Sequence, residues 1–173
     1  MADPDRSAGV VRLATTNDAA SISQIYNHYV LRSTCTYQIQ PESLDDRIRW
    51  LSDHGERFPA TVFDLDGRVV GWGSLSKWNA REAYDRTAEV SIYVHHDYHR
   101  RRIGSRLLED LIDRGKRIGH RVLIGGACTT QVASIRLQES LGFQQVGTFR
   151  QVGHKFDRWL DVVYLQLTLP PME

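Results

Sequence analysis

Between Thr87 and Ala127 the apolar residues change their spacing twice, and this change restricts the fold more than any other stretch. Thr87 to His95 alternates in the manner of a strand whose two faces meet different surroundings. Ile103 to Ile118 then sets Ile103, Leu107, Leu108, Leu111 and Ile112 on one helical face, and Gly119 is placed to stop it. Arg121 to Ala127 follows as a compact buried strand. A strand, a helix and a strand in immediate succession indicate a mixed α/β architecture.

The flanks extend that pattern. Val10 to Ala14 reads as a short strand, and Thr16, Asn17 and Asp18 offer capping side chains to a helix bearing Ala19, Ile22, Ile25, Tyr26, Tyr29 and Val30 on one stripe. Ser33 to Gln38 is compatible with an extended segment, and a second helix runs from about Ser43 to His54 and Gly55, burying Leu44, Ile48 and Leu51. Ala60 to Asp64 and Arg68 to Leu75 are strands joined by Leu65-Asp66-Gly67, where Asp-Gly is a hairpin signal. Lys77 to Arg86 is a polar connection. A helix over Ser134 to Leu141, ended by Gly142, precedes two last strands, Gln144 to Arg150 and Trp159 to Leu169. The order is βααβββαβαββ, one domain over residues 10–173, after a start at residues 1–9 that reads as disordered.

Composition removes several function classes. The 173 residues carry a net charge of +1, so no global field favours nucleic acid or a membrane surface. Basic residues are bunched locally at Arg100, Arg101 and Arg102, which suits a small anionic ligand. Cys35 and Cys128 show no metal-ligand or disulfide spacing, and the seven histidines show no ligand spacing, so no metal is expected. The opening MADPDRSAGV lacks the apolar core of a signal peptide, and no run approaches the roughly 18 apolar residues of a membrane span. The expectation is a cytoplasmic protein.

The link between the strand and the helix, HRRRIGS, has two local readings. As an anion cradle it would use the unpaired amides and the positive dipole end of the helix, with Gly104 permitting close approach. As a plain turn it would be solvated and capped by arginines. It is neither a Walker loop nor a dinucleotide-binding glycine fingerprint.

Distant segments bear on the choice. ASIRLQESLGFQQVG (residues 133–147), with the strand, basic loop and helix before it, resembles the GNAT N-acetyltransferase family. HRRRIGS resembles that family's Gln/Arg-x-x-Gly-x-Gly/Ala loop, whose amides hold the pyrophosphate of acetyl-CoA, and the later helix lies beside the pantetheine arm. IYNHYVLRSTCTY (25–37), REAYDRTAEVSIYV (81–94) and VGHKFDRWLDV (152–162) resemble the phosphinothricin and methionine sulfone/sulfoximine acetyltransferase branch. The resemblance spans roughly residues 10–169. It implies a twisted, mostly antiparallel central sheet with helices on both faces, acetyl-CoA as co-substrate, a small amino-acid-like amine as acceptor, and a homodimer.

The resemblance also implies roles. Glu89 is the general base, with a carboxylate paired to a nearby arginine as the alternative. Ser91, Ile92, Tyr93 and Val94 offer backbone groups to the acetyl and pantetheine portions. Arg100, Arg101, Arg102, Ile103, Gly104 and Ser105 form the pyrophosphate loop. Gln131 and Ser134 meet the cofactor at the later helix, where Ser134 serves equally as a cap. Arg81 and Tyr84 grip the substrate carboxylate, a task suited to a guanidinium, and Lys77 and Trp78 flank the same mouth; a solvated arginine beside a packed tyrosine is the alternative. Tyr37, Lys155 and Trp159 fit the branch pattern, and packing or a subunit interface accounts for them equally.

Three positions depart from the pattern. Arg102 stands at the first glycine, with His99 at the Gln/Arg position; an arginine fits there if the backbone needs no positive φ. Gln131 replaces an asparagine and keeps its amide. Gln138 replaces a histidine, which removes a titratable group. Two other functions are compatible with these residues: acetylation of a peptide or protein N-terminus, and non-catalytic CoA binding by a regulator. Retention of Arg81, Tyr84 and Glu89 favours the small-molecule enzyme.

Overall fold

The computed structural model describes residues 9–171, so the start expected at residues 1–9 lies outside the described residues apart from Gly9. Seven strands form one sheet in the order β1-β2-β3-β4-β5-β7-β6. Their ranges are β1 (Val10–Leu13), β2 (Ala60–Leu65), β3 (Arg68–Lys77), β4 (Thr87–Val94), β5 (Val122–Cys128), β6 (Gln144–Lys155) and β7 (Arg158–Thr168). Four helices complete it: α1 (Ala19–Arg32), α2 (Leu44–Asp53), α3 (Ile103–Ile118) and α4 (Val132–Ser140). The order matches the one expected from periodicity. Among the described residues no helix is long and apolar enough to cross a membrane.

Alternation along the strands assigns side chains to two faces. On one face Val62 and Trp72 pack with Ile22 and Ile25 of α1 and Leu51 of α2. On the other, Phe63 meets Ile103 and Leu107 of α3, while Leu75, Val90 and Leu123 meet Leu108 and Leu111. Helices therefore cover both faces. The Asp66-Gly67 link adopts φ values of 51° and 84°, the left-handed pair that a two-residue hairpin needs.

One strand pair differs from the rest. β4 and β5 are parallel, and their pairing covers only Thr87↔Val122, Ala88↔Leu123 and Glu89↔Ile124. Beyond Glu89 the strands separate. β4 continues along β3 to Val94, and β5 continues along β7 to Cys128, so the middle of the sheet opens as a wedge.

Several boundaries differ from expectation. Ser33 to Gln38 joins no ladder; Lys155 Nζ donates to Ser33 and Thr36 carbonyls, each at 2.8 Å, and so takes up backbone acceptors that a neighbouring strand would otherwise satisfy. Lys155 is thus a packing residue, and burial pushes its ammonium pKa down. β6 runs past Arg150 to Lys155 across a bulge at residues 150–152, where Gln151 takes φ 53°. Helix α4 starts at Val132 and not Ser134, because Gln131 is its N-cap; Ser134 lies inside the first turn and does not cap it.

Candidate active site

The wedge between β4 and β5 opens into a cavity of about 1240 Å³. Glu89, Ser91 and Tyr93 share one sheet face by alternation, and Gly126 and Tyr164 lie on the same face across the opening. The other side is closed by α3 and α4, through Gly104, Leu108, Ser134 and Gln138. A ligand seated here would pass between the two strands, with unpaired backbone from both alongside it.

Glu89 ends the paired part of β4. Its carboxylate forms no ion pair and no hydrogen bond among the described residues, so the alternative of a structural arginine pair does not describe it. Burial alone pushes its pKa up, because nothing nearby compensates the lost hydration of the charge. A half-buried, uncommitted carboxylate at the point where a sheet opens is suited to taking a proton.

The basic loop forms the far wall. Arg100, Arg102, Ile103, Gly104 and Ser105 line the cavity. Arg106 N–H makes the first α3 bond, to Arg102 C=O at 3.1 Å, so the amides of the first turn before it have no helical acceptor. Unpaired amides, the positive end of the helix dipole and the residues Arg100 and Arg102 share this wall, an arrangement that suits an anion cradle. Arg101 does not join it: its guanidinium sits over the Tyr98 ring, 5.0 Å from the centroid. Gly104 has a reason beyond ligand approach, since a Cβ there would meet Leu137 Cδ2 at 3.2 Å and wedge α3 from α4.

Arg102 takes φ 59° and Arg100 takes φ 61°, both left-handed. The condition under which an arginine would be neutral at the glycine position is therefore not met; the backbone needs the conformation that glycine adopts freely. His99 meets the Tyr29 hydroxyl at 2.7 Å and the Val94 carbonyl at 3.2 Å, tying the loop to α1 and to the end of β4.

The later helix departs in two ways. Gln131 lines the cavity but donates its amide to Thr34 Oγ1 at 2.9 Å, holding the segment after α1. Gln138 is 7% exposed, and its Oε1 has no hydrogen-bond partner. That oxygen rests on Gly125, where any Cβ would lie 1.9 Å away.

The proposed substrate residues are not gathered with the rest. Arg81 and Tyr84 sit on the exposed turn leading into β4, and neither lines the cavity. Lys77 is drawn aside by Asp85, 3.4 Å from its ammonium. Residues that sequence reasoning passed over do line it, among them Tyr29, Phe149 and Tyr164. Their signal was weak, because aromatic residues in strands and helices read first as core. The structure also brings ligand atoms of His95, His96 and Asp97 within 4.8 Å of one another, a grouping hidden by their adjacency in one tight turn.

Comparison with known proteins identifies this arrangement. The profile of the GNAT acetyltransferase domain matches residues 11–164. The chain belongs to the GNAT acetyltransferase family. It is 36% identical to the L-methionine sulfoximine/L-methionine sulfone acetyltransferase of Salmonella typhimurium, over 92% of this chain and 94% of that protein. It is 33% identical to the phosphinothricin N-acetyltransferase of Streptomyces viridochromogenes, over 97% of this chain and 94% of that one. The solved yncA protein of Salmonella typhimurium, with its cofactor acetyl-CoA, superposes with a TM-score of 0.91 at 36% identity, covering 94% of this chain and 95% of that chain. This GNAT chain is accordingly an N-acetyltransferase, and its cradle, opened strands and cavity fit acetyl-CoA as co-substrate.

Proposed function

We propose that this GNAT enzyme transfers the acetyl group of acetyl-CoA to the α-amine of a small amino-acid-like substrate of the methionine sulfone, methionine sulfoximine or phosphinothricin type, with Glu89 as general base. One observation carries the base assignment: Glu89 is a half-buried carboxylate with no partner at the mouth of the strand opening. Burial raises its pKa and so makes it a stronger base than a solvated carboxylate. The amine, once neutral, attacks the thioester carbonyl, and Glu89 accepts the proton that the nitrogen must lose, directly or through one water.

Backbone groups of Ser91 to Val94, freed from β5 by the opening, are positioned to hold the pantetheine and acetyl portions, and Arg100 and Arg102 with the α3 amides to hold the pyrophosphate. Arg81, whose side chain has no partner among the described residues, is placed with Tyr84 to meet the substrate carboxylate outside the cavity. Lys77 is held by Asp85 and takes no part in that grip. The enzyme acts as a homodimer in the cytoplasm; the exposed apolar residues Val146, Phe149 and Val152 of the edge strand β6 support pairing.

The test is steady-state release of free CoA with methionine sulfone, phosphinothricin and a panel of peptides. Turnover with the amino-acid-like amines and not the peptides is expected. Turnover confined to peptides would replace the substrate class, and acetyl-CoA binding without turnover of any amine would overturn the small-molecule enzyme.

A further inference from the structure

Acetyl transfer needs a proton for the departing sulfur as well as a base for the amine, and Glu89 supplies only the second. Gln138, at the position where the family resemblance places a histidine, has no proton to give. The cavity is lined by five tyrosines: Tyr29, Tyr37, Tyr93, Tyr98 and Tyr164. Four of them are committed or distant. The Tyr29 hydroxyl is held by the Val94 carbonyl and His99, and that of Tyr93 is directed at the Cys35 carbonyl, 3.4 Å away. Tyr37 lies in the segment after α1 with its ring laid on Gly153 of β6, where a Cβ would meet its Cε1 at 2.5 Å. Tyr98 belongs to the turn beyond the end of β4, with Arg68 and Arg101 over its ring.

Tyr164 is different. Its hydroxyl makes no hydrogen bond among the described residues. Glu89 stands opposite Ile124 of β5, and Tyr164 stands opposite Gly126, two residues further along the same strand. Side chains two apart share a face, so Glu89 and Tyr164 flank the strand opening from its two sides. Gly126 makes this possible, because a Cβ there would lie 3.1 Å from the Tyr164 ring. Trp78 and Phe149 meet the ring edge-to-face, with centroids 5.7 and 5.3 Å away, and fix its orientation. The titratable groups facing it are Glu89 from β4 and Tyr37 from the segment after α1. Burial first, and then the Glu89 charge, push the Tyr164 pKa up, so the phenol keeps its proton at neutral pH.

We propose that Tyr164 is the general acid that protonates the departing CoA sulfur, a role that rests on the amine-acetylation reading above. The nitrogen lone pair forms the new C–N bond as the carbonyl π pair moves to oxygen. When that pair returns, the C–S bond breaks and its electrons go to sulfur. The Tyr164 O–H proton passes to the sulfur, giving free CoA thiol and a phenolate. Glu89, carrying the proton taken from nitrogen, returns it to the phenolate across the opening, and both groups are reset. Atoms and charge balance with no other reactant.

Tyr164→Phe removes only the hydroxyl and leaves the edge-to-face packing. With acetyl-CoA and methionine sulfone or phosphinothricin, kcat is expected to fall about 10²-fold with both KM values little changed. Packing loss alone would not distinguish leaving groups, so the deciding comparison uses acetyl-seleno-CoA, whose selenolate departs without needing a proton. There the variant is expected to lie within about threefold of the unsubstituted enzyme. An unchanged kcat with acetyl-CoA, or an equal loss with both donors, would overturn the assignment of Tyr164. Absence of turnover by the unsubstituted enzyme with every amine would instead overturn the acetylation reading, and this role with it.

Discussion

Arg102 occupies a left-handed conformation without the freedom of glycine, at an estimated cost of about 1–2 kcal/mol. Its guanidinium lines the cavity beside Arg100, so the strain and the charge belong to one residue. Arg102→Gly should relieve the strain, partly offset by about 0.5–1 kcal/mol of added unfolded-state entropy. The expected result is a small net gain in urea denaturation, up to about 1 kcal/mol, with acetyl-CoA binding weakened about fivefold by loss of an exposed cation. Arg102→Ala should weaken binding similarly without the stability gain, and equal stability changes in the two variants would show that no strain is stored there. Glu89 also has a stability signature. Its folded pKa is raised, so its contribution is fully present below the ordinary carboxylate value and is lost as pH rises through the folded value. Glu89→Gln should therefore stabilise the protein at pH 7 relative to its effect at pH 3, measured by denaturant midpoints at both.

Two elements illustrate what periodicity can and cannot convey. Helix α2 was legible from Ser43 and from the spacing of Ile48 and Leu51, and Ser43 with Asp46 forms the reciprocal cap; Leu44, expected in the core, is instead exposed in the first turn. Arg47 within it was not singled out, because an arginine directly after Asp45 and Asp46 reads as solvated. It is 3% exposed, paired with Glu42 at 2.5 Å, and lies within 5.0 Å of the Tyr26, Trp50 and Trp72 ring centroids. Arg47→Met would leave Glu42 unpaired, and a loss of about 3 kcal/mol is expected in chemical denaturation. A change under 1 kcal/mol would show that the pair contributes little. The β6–β7 hairpin was read as two short strands for a related reason. Its turn is Phe156-Asp157, both at positive φ, and this pair lacks the Asn-Gly or Asp-Gly chemistry that marks such turns.

At the scale of the whole molecule, the element order was legible because alternation and helical spacing are local properties, whereas HRRRIGS stayed open between cradle and turn on its local pattern and was read through its resemblance with distant segments. The opening between β4 and β5 was not. The alternation of β4 and the apolar run of β5 show no break at Glu89 or Ile124, and where their pairing stops is a matter of register that neither sequence segment encodes alone. Tyr164 was missed for the same reason, since its relation to Glu89 passes through a third strand. The exposed edge of β6 predicts a solution mass near twice the 19.8 kDa chain by light scattering, with Phe149→Glu and Val152→Glu together returning the monomer. A monomer at micromolar concentration would remove the dimer from the account. Everything proposed for the site converges on one carboxylate, and the pH dependence of kcat/KM for the acceptor amine, with and without Glu89→Gln, tests it most directly. The unsubstituted enzyme should gain activity through an ionisation above the ordinary carboxylate range, and Glu89→Gln should lose about 10²-fold or more together with that step. An unchanged profile in the variant would contradict the assignment of Glu89 as the base.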